Sequence, residues 1–229
     1  MTAALVLCGA LAREVIAMKE RCGWDVELFG VASSLHLRPA GIAPAVEQRL
    51  RELIPRFPRV AVVYGDCGTA GALDDLLERY RVPRVAGPHC YEMYAGPAFD
   101  ALVDHEPGTF FLTDFLVRAF DGAVRRGLGL DRYPELRDSY FGAYRRVVYL
   151  VQREDPALLE RARVIAAELG LALEVRPTGY GPLEGRLAEL LAEIHAERYA
   201  PALPPEPLFG GQPAVPPPRS RRRGRGAGE

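Results

Sequence analysis

Val60-Ala61-Val62-Val63-Tyr64-Gly65-Asp66-Cys67-Gly68-Thr69 reads as an uncharged, β-branched strand running into a glycine-flanked turn. A helical pattern follows from about Gly71 to Tyr80, with Leu73, Leu76 and Leu77 on its inward face. The same grammar occurs twice more. An apolar run over residues 3–8 closes in Val6-Leu7-Cys8-Gly9, ahead of a helical pattern from Ala10 to Arg21. A shorter run from Pro83 closes in Val85-Ala86-Gly87-Pro88-His89-Cys90. Each time an aliphatic strand ends beside a cysteine and a glycine. If the strands are parallel in one sheet, their carboxyl ends share one edge and the thiols meet there.

The surrounding chain supplies the alternation that such a sheet needs. A second strand is predicted over Val26 to Val31, then a loop through Ser33-Ser34-Leu35-His36-Leu37-Arg38-Pro39, then a helix from Ile42 to Ile54 with Val46, Leu50 and Leu53 inward. Pro83 to Ala86 reads as a short strand, and His89 to Met93 begins a helix or a loop. After the turn Pro107-Gly108-Thr109, the stretch Phe110 to Phe120 is rich in aromatics, with Thr113 and Asp114 suited to open a helix. Val147 to Val151 and Leu171 to Val175 read as strands. Pro156 to Leu169 reads as a helix capped by Asp155 and stopped by Gly170, and a last helix runs from Pro182 to about Arg198. Strands alternating with helices predict an α/β fold: a parallel sheet in three layers, helices on both faces, and βα loops on one edge. That edge is where such folds bind ligands. The expected organisation is one α/β domain over residues 1–200, with sub-lobes at about 1–105 and 106–200, and a disordered tail over 201–229.

Composition narrows the setting. The chain has 229 residues, is 48% hydrophobic and carries a net charge of −1, which suits a globular core and gives no global pull toward nucleic acid or an anionic membrane. The tail holds five arginines (Arg219, Arg221, Arg222, Arg223 and Arg225) against Glu206 and Glu229, so it carries +3 and leaves −4 on the body. Eight of the 20 prolines also fall there, a composition that buries no core. The basic run is the one place suited to nucleic acid or an acidic surface. Lys19 is the only lysine. No apolar run approaches a membrane span, and the amino terminus lacks the basic region of a signal peptide. Four cysteines in a chain of this length do not form a disulfide scaffold, which points to a reducing cytoplasm.

Cys22 sits at a helix end beside Gly23 and reads as packing. For Cys8, Cys67 and Cys90 three readings stand: ordinary buried residues, ligands of an iron–sulfur cluster, or zinc ligands joined by His89 or His36. Long, unequal gaps suit ligands gathered from separate loops and exclude neither metal. Gly65 and Gly68 let the backbone approach a bound group closely, and the turn amides offer hydrogen bonds to it. Asp66 is a candidate proton donor or a helix cap. His89 is a candidate for moving protons near neutral pH. A Cys–His nucleophile at His89-Cys90 is disfavoured, because adjacent residues seldom point the same way. Thr178-Gly179-Tyr180-Gly181 is a turn placed to close over the edge. No phosphate loop, dinucleotide fingerprint or hydrolase elbow occurs.

Five motifs in order resemble the DUF1638 family over roughly residues 3 to 190. They are the first strand with Cys8, Leu35-His36-Leu37-Arg38-Pro39, Tyr64-Gly65-Asp66-Cys67-Gly68, Pro88-His89-Cys90, and Pro107-Gly108-Thr109-Phe110-Phe111-Leu112-Thr113. Family members usually read His-Asp-Cys where this chain has His89-Cys90. The resemblance implies a role beside corrinoid methyltransferase proteins in one-carbon or methylamine metabolism. The site logic is also similar to quinolinate synthase and the diphthamide radical enzymes, where cysteines on separate βα loops hold one [4Fe-4S] cluster. The expectation is therefore a [4Fe-4S] cluster, with zinc as the alternative, on Cys8, Cys67 and Cys90. Around it, Gly65, Gly68 and His36 shape the site, and His89 and Asp66 move protons for a small-molecule substrate. A corrinoid-partner protein without turnover, and a plain α/β ligand-binding module, are the other readings.

Overall fold

A computed structural model describes residues 2–196 and 198–210. The uncharged run Ala3–Cys8 forms strand β1, buried along its whole length. It lies between β2 (Val26–Val31) and β3 (Val60–Val63), both parallel to it. The register pairs Cys8 with Val31 on one side and Leu7 with Val63 on the other. Helices α1 (Ala12–Cys22), α2 (Ile42–Leu53) and α3 (Ala72–Tyr80) follow these strands in turn. Their apolar faces sit where the periodicity predicts: Val15 and Met18, Val46 and Leu50, and Leu73, Leu76 and Leu77 are all buried.

The expected fourth strand at Pro83 to Ala86 is reduced to a single parallel bridge between Val62 and Arg84. The Val62 N–H donates to the Pro83 carbonyl at 3.0 Å, and the Val85 N–H to the Val62 carbonyl at 2.9 Å. Proline has no N–H for a ladder, and Gly87-Pro88 ends the extended run at once. Two short helices, α4 (Cys90–Ala95) and α5 (Ala98–His105), then carry the chain away.

A second parallel sheet follows, built from β4 (Thr109–Thr113), β5 (Arg146–Val151) and β6 (Ala172–Pro177) in sequence order. The α/β class and parallel pairing agree with the sequence. The single sheet does not: the strands form two three-stranded sheets. The aromatic stretch from Phe110 is divided between β4 and helix α6 (Asp114–Phe120). Thr113 caps that helix by accepting the Leu116 N–H at 3.2 Å. The helix widens into a π-turn over Asp121–Arg126. Helix α7 (Leu136–Phe141) and helix α8 (Pro156–Leu169) flank β5 in the chain, and α9 (Leu183–His195) ends the second half. Asp155 caps α8 by accepting the Ala157 and Leu158 N–H groups, and Gly170 stops it at φ 72°.

The larger core joins both halves. Leu183, Leu187, Leu190 and Ile194 of α9, with Phe111, Val148 and Leu150 of the second sheet, pack in the same cluster as β1 and β3. A smaller cluster, including Leu112, Val117, Tyr149 and Ile165, lies on the other face of the second sheet. Thus α9 crosses the sub-lobe line near residue 105 and returns to the first sheet.

Composition predicts disorder from Pro201 onward. Residues 201–210 instead run against α2 and α3. The Ala202 N–H donates to the Tyr80 carbonyl at 2.7 Å, and Arg51 Nη1 to the Pro204 carbonyl at 2.9 Å. Buried Glu47 receives the Leu208 and Phe209 N–H groups at 2.5 and 2.8 Å. A proline-rich segment has no internal hydrogen bonds, so its backbone groups are free to pair with such side chains. The remainder of the expected tail, 211–229 with its arginine run, lies outside the described residues. Among the described residues no helix is long and apolar enough to cross a membrane.

Candidate functional site

Because the strand order is β2-β1-β3 followed by the Arg84 bridge, four neighbouring parallel stretches end on one edge. In that spatial order they deliver His36, Cys8, Cys67 and Cys90. Cys8 is the last residue of β1, and its Sγ accepts the Ala10 N–H at 3.4 Å, capping the short turn into α1.

His36 reaches this edge from the loop after β2. Its Nε2 lies 4.0 Å from Cys8 Sγ, and its Nδ1 lies 2.8 Å from the Ser33 carbonyl. A carbonyl only accepts, so Nδ1 carries a proton and donates it to Ser33, which leaves Nε2 facing the thiol. The imidazole stacks on Tyr64, with ring centroids 5.7 Å apart at 16°. Tyr64 is fully buried, and its hydroxyl has no hydrogen-bond partner of ordinary geometry. Burial first, then the charges of Cys8, Cys67 and Cys90, push its phenol far above the usual range.

The Cys67 turn is shaped by close backbone approach. A Cβ on Gly65 would stand 2.6 Å from the Pro88 carbonyl oxygen and 2.8 Å from His89 Cα. Only glycine lets this turn dock on the next one, and the Cys67 N–H then donates to the same Pro88 carbonyl at 3.0 Å. Cys67 itself has φ 48°, the left-handed region. Asp66 holds that turn together. It accepts the Gly68 N–H at 3.2 Å, the Gly71 N–H at 2.9 Å and the Thr69 hydroxyl at 2.5 Å. The Thr69 hydroxyl bond, then those amides, hold its carboxyl below the ordinary range. Three donors aimed at a partly open carboxylate outweigh its burial, and of the two roles the sequence offers Asp66, the geometry here is that of a cap. Gly68 faces the ring of Pro39 from the His36 loop, where a Cβ would meet Cγ at 3.4 Å.

Cys90 opens α4, and His89 is the cap residue before it. The His89 Nδ1 accepts the Glu92 N–H at 3.3 Å. The ring packs edge-on against Phe99 at 4.7 Å, and burial lowers its pKa. His89 thus sits as a neutral imidazole with Nδ1 occupied. Arg186 of α9 pins the loop from behind: it makes two bonds of 2.6 Å to the Glu92 carboxylate and one of 3.0 Å to the Ala86 carbonyl.

Cys8 is buried, while Cys67 and Cys90 are half-buried. Burial pushes the Cys67 thiol up to about 12, and the charge on Cys8 adds to this. Cys90 is raised by burial and then by Cys67 and Cys8. Burial also raises Cys8, against the opposing Ala10 N–H. The three thiols thus share one edge of the first sheet, each raised chiefly by burial. Among the described residues, no group of three or more His, Cys, Asp or Glu side chains is drawn together to hold a metal ion. Cys22 lies apart, exposed beside Glu184.

The family model for DUF1638, a protein of unknown function, matches residues 31–187. The chain belongs to the DUF1638 family. No curated protein and no solved structure matches it. The stretch shared with DUF1638 contains His36, Cys67 and Cys90 but begins after Cys8.

Sequence reasoning assigned no role to Tyr64 or Arg186. Tyr64 stood inside a quoted DUF1638 motif, and a tyrosine ending an otherwise aliphatic strand beside a cysteine was the available signal. Nothing local distinguishes Arg186 from the many other arginines of the chain, since its partner Glu92 is far away in sequence.

Proposed function

We propose that Cys8, Cys67 and Cys90 hold an iron–sulfur cluster, and that this DUF1638 protein acts on a small molecule as an enzyme or an accessory factor of one-carbon metabolism. One observation carries the reading: three neighbouring parallel stretches end in thiols on the same sheet edge, beside the buried Tyr64 phenol. Such thiols resist ionisation singly, and a polycationic group is the partner that offsets three thiolates at once. Each cysteine of a cluster binds a different iron, so the sulfurs stand farther apart than around one ion. The one-carbon setting, and corrinoid methyltransferase proteins as partners, rest on the family resemblance alone. Free thiols of this kind favour a reducing compartment, so the cytoplasm is the proposed setting.

When bound, a cluster with one iron free of cysteine supplies a Lewis acid to a substrate oxygen. The chain's own residues do the rest. His36 accepts the Cys8 proton as the thiol becomes a ligand and passes it to solvent, to which it is exposed. His89, with Nδ1 occupied, offers an Nε2–H donor. Asp66 and Gly65 hold the Cys67 turn in register. The nitrogen of His36 beside Cys8 also favours a Cys₃His zinc set as the second reading.

Anaerobic purification with iron, sulfide and zinc analysis tests both. A brown protein with a broad visible band, colourless and metal-free as Cys67→Ser, is expected. Colourless protein with stoichiometric zinc supports the second reading. Metal-free wild type identifies the thiols as core.

A further inference from the structure

Helix α5 presents Ala98, Ala101, Leu102 and His105 as one stripe, at the spacing of a single helix face. The other wall is the face of β5 and β6 that carries Arg146, Leu150, Glu174 and Arg176, brought to one side by the strand pleat and the parallel register. Between them lies a cleft of about 780 Å³, within the size range of small-molecule sites. Thr178 and Gly181 of the Thr178-Gly179-Tyr180-Gly181 turn line it where β6 ends. That turn docks on α4 because Gly181 has no side chain: a Cβ there would stand 1.9 Å from the Tyr94 carbonyl oxygen. None of Cys8, His36, Cys67 and Cys90 lines this cleft.

Its polar end is built around one carboxylate. Glu174 Oε2 accepts Arg146 Nη1 at 2.6 Å, and its Oε1 accepts Arg176 Nε. Arg146 spans the two walls: its Nη2 donates to the Leu102 carbonyl at 2.7 Å, and its Nε to Thr109 Oγ1 at 2.9 Å. Three bonds thus fix that guanidinium and still leave it N–H groups to spare. Arg176 is held through Nε alone, and among the described residues its two Nη nitrogens make no hydrogen bond. With His105 neutral, two guanidinium groups face one carboxylate, so the lining is positive by one charge. Like charges held side by side repel until a second anion joins them, and the guanidinium fork is suited to take an oxyanion at two points.

The remaining lining is short and aliphatic. Ala95, Ala98 and Ala101 leave the cleft wide, and Leu150 floors it. Tyr94 is the one tyrosine of the lining and is 2% exposed, so no ring face is offered to a planar aromatic ligand.

We propose that this cleft binds a small aliphatic carboxylate, its head on Arg176 and Arg146 and its hydrocarbon chain along the alanine stripe of α5. A monoanion brings the lining to neutrality. A phosphate dianion exceeds it, and an amine adds to the repulsion. The site is separate from the thiol edge and does not depend on what the cysteines hold.

Calorimetric titration of the full chain with butyrate, hexanoate and octanoate, below micelle-forming concentrations, tests this. Octanoate is expected to bind below about 1 mM, with each added methylene tightening binding about two- to four-fold. Octanol and octylammonium are expected to bind at least about ten-fold more weakly than octanoate. Arg176→Gln removes an exposed side chain with one bond and is expected to weaken octanoate about ten-fold. Ala101→Trp fills the cleft from an exposed helix position and is expected to abolish binding with the melting temperature unchanged. Should Arg176→Gln unfold, Ala101→Trp decides alone. No octanoate binding at millimolar concentration overturns the proposal. So does octanol binding as tightly as octanoate, which marks a merely apolar cleft, or octyl phosphate binding ten-fold tighter, which marks a phosphate site. Octanoate binding that survives Ala101→Trp lies elsewhere and overturns it as well.

Discussion

His36 Nε2 faces Cys8 Sγ at 4.0 Å because the Ser33 carbonyl, 2.8 Å from Nδ1, turns the ring. The loop after β2 is thereby tied chemically to the end of β1. The thiol beside it still stays protonated, since burial outweighs its local hydrogen bonds. Thiolate is the species that alkylates, so cysteine labelling reads this balance directly. In reduced, metal-free protein at neutral pH, iodoacetamide is expected to label exposed Cys22 first. Cys8, Cys67 and Cys90 should react at least about ten-fold more slowly. Peptide mass spectrometry over time gives the order. Early labelling of Cys67 would show a thiolate there and contradict the raised pKa.

Gly65→Ala inserts a methyl group into the Pro88–His89 backbone, which has no flexible atom to move aside. Overpacking of this kind costs about 1–3 kcal/mol. Urea unfolding is expected to shift by that amount, and the variant to lose metal. A stable Gly65→Ala protein with full metal content would show that docking of the two turns is not needed.

Glu14 gives a pH signature. Burial is the main cause of its raised pKa, with Asp114 adding to it, while Arg118 and Arg13 oppose. Below the ordinary value of 4.5 both folded and unfolded chains hold the proton, and no penalty arises. As pH rises the unfolded chain releases it first, so stability falls until the folded carboxyl also ionises. Glu14→Gln removes this loss. Denaturation at pH 4 and pH 7 is expected to show the variant gaining on wild type only at the higher pH. An equal difference at both would mean that Glu14 ionises normally.

Glu47 fastens residues 201–210 through two backbone N–H groups and the Tyr80 hydroxyl at 2.7 Å. Glu47→Ala leaves those donors without their acceptor, at about 1–3 kcal/mol. Limited proteolysis is expected to cleave the segment several-fold faster in the variant, with the body intact. Unchanged cleavage would place the anchoring elsewhere, for example at Arg51.

The sequence made some features legible for local reasons. An uncharged run such as Ala3–Cys8 has nowhere to go but the inside of a sheet. Asp155 and Gly170 announced the ends of α8 because capping is settled within a few residues. At Pro83 to Ala86 the same reasoning overshot. The aliphatic pattern was present, but proline and glycine left room for one bridge only. The division into two sheets was not visible, since each strand reads alike whichever neighbour it pairs with.

Sequence alone determined that strands end in cysteines and that parallel order gathers those ends on one edge, because strand direction and turn chemistry are short-range properties of the chain. Tertiary structure decided which ends are adjacent, that Asp66 is a cap, that Arg186 braces the Cys90 loop, and that the thiols and Glu14 resist ionisation. Those outcomes depend on desolvation and on charges brought together through space from residues far apart in the chain, and no local pattern encodes them.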